Sequence, residues 1–197
     1  TIFTSSSIGK VYVFHGGAAG LSSTPAWSAT GDAAHLGFGH IAAGAGDVNG
    51  DGYADIVVSA IDSGALAHSS SKVYIFYGSA AGVTGTAAAP AWSAEGEASS
   101  TRFGIAAGGV GDVNGDGYAD LVVGDSAYNT GNGKAYVFYG GAAGITGTAA
   151  APAWSAAGSN WEGFGSSAAG GGDVNGDGYT DVIVGAPSYA SGGGSTY

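Results

Sequence analysis

The stretch Asp47-Val-Asn-Gly-Asp-Gly-Tyr-Ala-Asp55 decides how this chain folds. It returns at residues 112–120 and 173–181 with the same acidic, amide and glycine residues at the same positions. The aspartates that open the second and third copies follow the preceding ones by 65 and 61 residues. A motif that recurs at such a period predicts a repeat architecture, in which each copy marks one structural unit.

Other features recur around this loop in a fixed order. Each unit carries an alternating stretch that begins with lysine, then Pro-Ala-Trp, then Phe-Gly, then the acidic loop. The repeats fill the whole chain, so no second domain is predicted. We assign the recurring aromatic residues to packing between units, namely Trp27, Trp92, Trp154, Phe38, Phe103 and Phe164.

Each unit is predicted to contain four short β-strands. The stretch beginning at Lys72 alternates and is rich in β-branched and aromatic residues, whereas Asp55-Ile-Val-Val58 is continuously apolar, as in a strand buried on both faces. The predicted strands, from innermost to outermost, are Phe38–Gly46, Tyr53–Ser59, Lys72–Gly78 and Pro90–Ala94. Four strands per unit at this period favour an all-β fold, a β-propeller of four-stranded antiparallel blades.

The repeat boundaries divide the chain into about three blade equivalents, with a blade split at each terminus. We predict a half-blade at 1–32, blades at 33–97 and 98–159, and a half-blade at 160–197. Since propellers usually need about four blades or more, one chain is not expected to close a ring. The half-blades are expected to pair with another copy, a six-bladed dimer being permitted, or with missing blades of a larger parent protein.

The composition excludes several classes of protein. The 197-residue chain has 15 Asp and Glu residues but only 4 Lys and Arg residues, so its net charge is −11. This negative charge disfavours nucleic-acid binding. No apolar run approaches the ~20 residues of a membrane-spanning helix, so membrane insertion is not predicted. The absence of cysteine excludes disulfides, thiolate metal sites and thiol catalysis.

The acidic loops are predicted to bind calcium, three ions per chain. Oxygen-bearing side chains at positions 1, 3, 5 and 9, a backbone carbonyl at position 7 and a glycine at position 6 suit a hard cation that accepts flexible coordination. An EF-hand is rejected because its position 12 glutamate is replaced by valine, as at Val58. Asn-Gly and Asp-Gly also build ordinary turns, but three loops of three aspartates would repel one another without a cation. The predicted ligands are Asp47, Asn49, Asp51, Tyr53, Asp55, Asp112, Asn114, Asp116, Tyr118, Asp120, Asp173, Asn175, Asp177, Tyr179 and Asp181.

The repeat resembles the FG-GAP repeat of the integrin α-subunit propeller and its bacterial relatives. The resemblance lies in Phe-Gly, the acidic loop and a strand that ends in Gly185-Ala186-Pro187. The other copies depart from Gly-Ala-Pro, with Ser59-Ala60-Ile61 and Gly124-Asp125-Ser126. The resemblance implies a seven-bladed propeller with calcium loops on its lower face and a ligand-binding upper face. It also implies an extracellular or cell-surface recognition module.

No catalytic constellation is predicted, because none of the histidines His15, His35, His40 and His68 recurs across the repeats. A binding module instead needs loops that differ between blades, and the connections between blades do differ. The candidate ligand-binding residues are His35, Arg102, Trp161 and Glu162. A protein ligand, a glycan ligand as in lectin-like propellers, and a purely structural assembly block, natural or engineered, all remain open.

Overall fold

The structure is a computed structural model that describes residues 7–61, 71–97 and 102–189. Within these residues the chain is almost entirely β-strand in antiparallel sheets, which confirms the predicted fold class. It contains two complete four-stranded blades and, at either end, a two-stranded half-blade. Residues 1–6, 62–70, 98–101 and 190–197, which include His68, Ser100 and Thr101, lie outside the described residues.

The N-terminal half-blade consists of β1 (Lys10–Val13) paired with β4 (Trp27–Thr30). Two short strands, β2 (Gly16–Gly17) and β3 (Gly20–Leu21), form a small hairpin between them that was not predicted. Because β1 and β4 match the third and fourth strands of a complete blade, this end of the array presents an outer half-blade, as predicted.

The first blade is a sheet in the order β5-β6-β7-β8. The strand β5 has the predicted bounds, whereas the bounds of the other three differ from the predicted ones by one or two residues. The four strands are β5 (Phe38–Gly46), β6 (Asp55–Ala60), β7 (Lys72–Phe76) and β8 (Trp92–Glu95).

The second blade has the same strand order as the first. Its first strand packs beside the first strand of the first blade. Its connection from second to third strand contains one helical turn, α1 (Tyr128–Gly131), in which Asn129 and Thr130 have positive φ. The four strands are β9 (Phe103–Gly111), β10 (Asp120–Asp125), β11 (Lys134–Phe138) and β12 (Trp154–Ala157).

The C-terminal half-blade pairs β13 (Ser167–Gly172) with β14 (Asp181–Gly185). The first of these strands was predicted to begin at Phe164, but a turn closed by the Ser166 N–H donating to the Gly163 carbonyl delays its start. The first strands of successive units pack side by side, β5 on β9 and β9 on β13, as expected for the inner strands of a propeller.

A bulge ends the first strand of every unit just before the acidic loop. The pairing register shifts between Gly44 and Gly46, and Gly46 has φ of 80°. A Cβ atom at Gly46 would lie 2.5 Å from the Cβ of Ala119 in the second blade. Glycine is therefore required here both for the left-handed backbone and for the close approach of the next blade.

The hydrophobic core lies between successive sheets rather than within one sheet. Trp27 of the N-terminal half-blade packs on Phe76 of the first blade with 5.1 Å between ring centroids. Trp92 of the first blade packs in the same way on Phe138 of the second, also at 5.1 Å. These contacts support the assignment of the recurring tryptophans to packing between blades.

Candidate metal loops and the opposite face

The first acidic loop is closed by its own backbone N–H groups. The N–H of Asp51 donates to Asp47 Oδ1 at 3.0 Å and that of Gly52 donates to Asp47 Oδ2 at 2.8 Å. The Asp51 N–H also donates to Asn49 Oδ1, and the Tyr53 N–H donates to Asp51 Oδ1 at 2.9 Å. The alternation of acidic side chains with glycine thus folds the loop tightly around its first aspartate.

The other two loops have this same bonding pattern. Asp112 accepts hydrogen bonds from Asp116 and Gly117, and Asp173 accepts them from Asp177 and Gly178. The N–H groups of Gly178 and its neighbours lower the pKa of the Asp173 carboxyl. For Asp112, burial alone would raise the pKa, but the loop N–H groups together outweigh it and lower the pKa.

The ninth residue of the loop is a buried aspartate that joins the loop to the third strand. Asp55 Oδ2 accepts the Val48 N–H at 2.9 Å, and Asp55 Oδ1 accepts the Gly78 N–H at 2.8 Å. Asp120 does the same in the second blade. Burial raises the pKa of Asp55 despite these two donors, and the Asp51 and Asp47 carboxylates raise it further.

These residues match the donor chemistry of a calcium site, although their side chains are not gathered around one point. Within residues 7–61, 71–97 and 102–189, no group of three or more His, Cys, Asp or Glu side chains is close enough to hold a metal ion. Each loop nevertheless combines three carboxylates with one amide oxygen, a set that suits a hard cation. The N–H donors occupy only part of the about four lone-pair sites of each carboxylate. The donor set therefore fits calcium.

The loops of successive units are joined along one face of the array. The Ala119 N–H donates to the Asp47 carbonyl at 3.0 Å, and the Thr180 N–H donates to the Asp112 carbonyl at 3.0 Å. The ring of Tyr118 also covers Gly50 of the preceding loop, because a Cβ atom there would lie 2.5 Å from that ring. The three loops thus form a continuous row.

The candidate ligand-binding residues lie in the connections between units, at the other ends of the strands. His35 is held between two carboxylates, with Nδ1 3.0 Å from Asp32 Oδ1 and Nε2 3.2 Å from Glu95 Oε1. Arg102 is exposed at the start of the second blade. Sequence reasoning did not predict the partners of His35, since Glu95 lies 60 residues away from it.

Trp161 and Glu162 are adjacent in sequence but differ in exposure. Trp161 is 72% exposed, its φ is 58°, and its N–H donates to Asn132 Oδ1 at 3.1 Å. Glu162 is buried, and its Oε1 accepts the Ser159 N–H. Of the two candidate ligand-binding residues, only Trp161 is therefore exposed, because the Glu162 carboxylate closes its own turn.

A polar cluster at the end of the second blade was missed by the sequence reasoning. Asp125 is fully buried, and burial raises its pKa to about 6 although the Ala127 N–H donates to its Oδ1. Nearby, Lys134 Nζ donates to Glu97 Oε1 at 2.6 Å, and the Tyr136 hydroxyl donates to the same oxygen. The signal for this cluster was the aspartate that replaces the alanine found in the other two copies.

Comparisons with known proteins agree with the repeat organisation. The FG-GAP repeat family model matches residues 38–76, 103–138 and 164–197. The chain is 30% identical over 72% of its length to integrin alpha-PS5 of Drosophila melanogaster, of which the match covers 14%. It is 36% identical over 64% of its length to integrin alpha pat-2 of Caenorhabditis briggsae, of which the match covers 10%.

This chain thus spans only a small part of the relatives that it matches. None of the helices in the described part of the chain is long and apolar enough to cross a membrane. The family match covers each acidic loop and the strands beside it, which are the features that the structure repeats. The chain therefore belongs to the FG-GAP repeat family and forms part of an integrin-like β-propeller.

Proposed function

We propose that this chain is a calcium-stabilised propeller module that acts in recognition or adhesion outside the cell and has no catalytic role. The observation that carries the calcium proposal is the threefold repetition of one acidic loop with one hydrogen-bonding pattern. In two of these loops the ninth residue is a fully buried aspartate, Asp55 or Asp120. A cation beside such an anion would offset the cost of burying it.

Each loop would hold one Ca²⁺ through three aspartates, the asparagine side chain and the carbonyl of the tyrosine. When bound, the ion would supply two positive charges among three carboxylates. The backbone N–H donors already fix Asp47 and its equivalents, so side-chain rotation at the third and fifth positions would complete the site. Three such ions would reduce the net charge of the chain from −11 to −5.

The recognition proposal rests on the loops at the opposite end of the strands. Trp161 is exposed on a backbone with positive φ, which is a strained conformation for a bulky residue. Such strain is often found at binding sites, where a fixed side chain meets a ligand. An exposed indole can stack on a sugar or pack against a peptide. The likeness to integrin alpha subunits favours a protein ligand at the cell surface, and a glycan is the alternative.

The module would function within a closed ring. Both half-blades need complementary strands, which a second copy of the chain or further blades of a longer protein would supply. Closure would remove the two exposed sheet edges, which otherwise invite unwanted association.

Calcium titration tests the metal proposal. We expect isothermal titration calorimetry to give three sites per chain and thermal unfolding to shift upward with calcium. The stabilisation would be about 2.7 kcal/mol per site at a free calcium concentration 100 times Kd. Combining Asp51→Ala, Asp116→Ala and Asp177→Ala should abolish both effects, whereas Asp32→Ala outside the loops should preserve them. An equal midpoint of unfolding in calcium and in chelator would contradict the proposal.

A binding screen tests the recognition proposal separately. The calcium-loaded chain would be applied to a glycan array and to a panel of extracellular matrix proteins. We expect Trp161→Ala to weaken a detected interaction at least tenfold, with Trp161→Phe retaining part of it. A ligand bound equally well by the alanine variant would place the recognition surface elsewhere.

A further inference from the structure

Each acidic loop contains the dipeptide Asn-Gly, as Asn49-Gly50, Asn114-Gly115 and Asn175-Gly176. Asparagine is chemically labile before glycine, because glycine has no Cβ atom to shield its backbone nitrogen from the neighbouring side-chain amide. A fourth copy, Asn132-Gly133, lies at the end of α1, outside the acidic loops. The four copies differ in how the structure holds the groups that would react.

The fold requires glycine at this position of the loop. Gly50 has φ of 73°, and Gly115 and Gly176 have φ of 78° and 77°. These values lie in the left-handed region, which other residues adopt only with strain. In the first loop the ring of Tyr118 also occupies the space that a Cβ atom at Gly50 would need. Any residue that shielded the backbone nitrogen would therefore disturb the turn.

The asparagine side chain of each loop is held by the aspartate two residues further on. Asn49 Oδ1 accepts the Asp51 N–H at 3.0 Å, and Asn49 Nδ2 donates to Asp51 Oδ2 at 3.1 Å. The N–H donor would stabilise negative charge that develops on Oδ1 during attack on Cγ, as backbone donors do in an oxyanion hole. The second and third loops contain the same two bonds. The side-chain amide is thus activated in the same way in all three loops.

The loops differ at the glycine N–H, which belongs to the attacking nitrogen. In the second and third loops this N–H donates to Oδ1 of the first aspartate of the loop, at 2.6 Å and 2.7 Å. In the first loop Asp47 accepts the N–H groups of Asp51 and Gly52 instead. Within residues 7–61, 71–97 and 102–189 the Gly50 N–H has no hydrogen-bond acceptor, and Gly50 is exposed to solvent. Its nitrogen can therefore attack without first releasing a hydrogen bond.

The fourth Asn-Gly dipeptide is held by bonds to other parts of the chain. Gly133 is buried, and its N–H donates to the Tyr128 carbonyl at 3.0 Å. Asn132 Oδ1 accepts the Trp161 N–H at 3.1 Å. This copy combines a buried, bonded nitrogen with a fixed side chain, so it serves as an internal reference for a protected site.

We propose that Asn49 is a site of spontaneous deamidation in the folded protein and reacts before the other three Asn-Gly copies. The Gly50 nitrogen attacks Asn49 Cγ and loses its proton to solvent base. The bond between Cγ and Nδ2 breaks, and Nδ2 takes a proton from water and leaves as ammonia. Water then opens the resulting succinimide. Cleavage between the nitrogen and Cγ gives aspartate, whereas cleavage between the nitrogen and the backbone carbonyl carbon gives isoaspartate.

The two products would change the loop in different ways. Aspartate replaces an amide with a carboxylate, adds one negative charge and keeps an oxygen that can accept the Asp51 N–H. Isoaspartate transfers the side-chain CH2 into the backbone, which breaks the spacing on which the loop hydrogen bonds depend. The calcium role proposed above, on which this consequence alone rests, implies that the aspartate form keeps the site in the first loop and the isoaspartate form loses it. Deamidation would thus limit the lifetime of one loop.

Peptide mapping by mass spectrometry tests the site and its order of reaction. The chain would be incubated in chelator, both folded and in concentrated urea. In the folded protein we expect the mass gain from amide to acid to accumulate about tenfold faster at Asn49 than at Asn114 or Asn175, because a hydrogen bond to a carboxylate must first break in those loops. Asn132 should stay intact over the same period. In urea the three loops, which share the sequence Asp-Val-Asn-Gly-Asp-Gly-Tyr, should react at equal rates.

Asn49→Asp is the matched variant, because it begins as one of the two products. The aged parent chain should move towards the elution position of this variant on ion exchange, and enzymatic methylation should measure its isoaspartate content. Equal rates at the three loops of the folded protein would overturn the role of the free Gly50 N–H. An Asn49 that stays intact in the folded protein while it reacts in urea would overturn the site. Because the mapping is done in chelator, its result is independent of whether calcium binds.

Discussion

Replacing Asp125 with alanine should stabilise the protein near neutral pH and destabilise it in mild acid. Asp125 is fully buried, and burial raises its pKa from 3.8 to about 6. Its Oδ2 has no hydrogen-bond partner within the described structure, so its ionised form is poorly compensated. The equivalent residues of the other two units, Ala60 and Ala186, show that alanine suits this position.

The magnitude follows from the pKa difference. About two pKa units at 1.36 kcal/mol each correspond to about 3 kcal/mol of destabilisation once both folded and unfolded states are ionised. Because the folded-state pKa is raised, this cost is absent below about pH 4, grows as pH rises towards 6, and is fully present above it. Alanine also loses the acceptor for the Ala127 N–H, at about 1 kcal/mol. The variant should therefore gain about 2 kcal/mol at pH 7 and lose about 1 kcal/mol near pH 4.

Urea unfolding of both proteins in chelator, at intervals from pH 4 to pH 7.5, measures this difference. The acidic loops titrate equally in both proteins, so their contribution cancels from the comparison. Asp125→Asn is the matched control, because it keeps the side-chain shape and should remove the same pH dependence. If Asp125→Ala were destabilising by one constant amount across the range, Asp125 would not have a raised pKa and the reasoning would be refuted.

Three further changes probe the packing, the bulge and the acidic loop. Trp92→Ala should lower the free energy of unfolding, measured by urea titration, by about 3 kcal/mol, because Trp92 packs on the second blade. Trp161→Ala, at an exposed residue, should lower it by less than about 0.5 kcal/mol. Equal losses would contradict the inter-blade role of Trp92. Gly46→Ala should lower the thermal midpoint through about 1–3 kcal/mol of backbone strain. Gly44→Ala, with open space around its Cβ and no positive φ, should be nearly neutral, and a comparable loss there would refute the argument from conformation. Asp55→Asn without calcium should cost about 1–3 kcal/mol, because one of two backbone N–H groups would face an amide donor; an unchanged urea midpoint would show that these bonds contribute nothing.

The repeat period and the strand order could be predicted because local sequence determines them. Alternating apolar residues define Lys72–Phe76 as a strand, and the glycine-rich acidic loops define where strands end. The contact between the loop aspartates and the end of the third strand could not be predicted in this way. The bond from Gly78 to Asp55 joins residues 23 apart, and only tertiary packing brings them together.

On the opposite face, the burial and the contacts of the candidate ligand-binding residues could not be predicted from the sequence. Glu162 carries a charge and follows an exposed tryptophan, and the sequence gives no sign that its side chain is buried. A local backbone N–H from Ser159 instead compensates its burial, and no side-chain pattern indicates such a bond. In the same way, the carboxylates around His35 come from Asp32 and from Glu95 on another strand, a grouping that depends on the order of strands in the sheet.

The row of joined loops has a consequence for changes in chain length. Each blade meets the next through equivalent atoms, since the Asp47 carbonyl receives the Ala119 N–H just as the Asp112 carbonyl receives the Thr180 N–H. Removing or duplicating one whole period would bring together surfaces that already match, whereas inserting part of a period would place unlike surfaces against each other. Tandem duplication and loss of complete repeats are therefore the natural route by which a gene for such an array changes its size, and the near-identity of the three loops is what keeps every new junction compatible with the old ones.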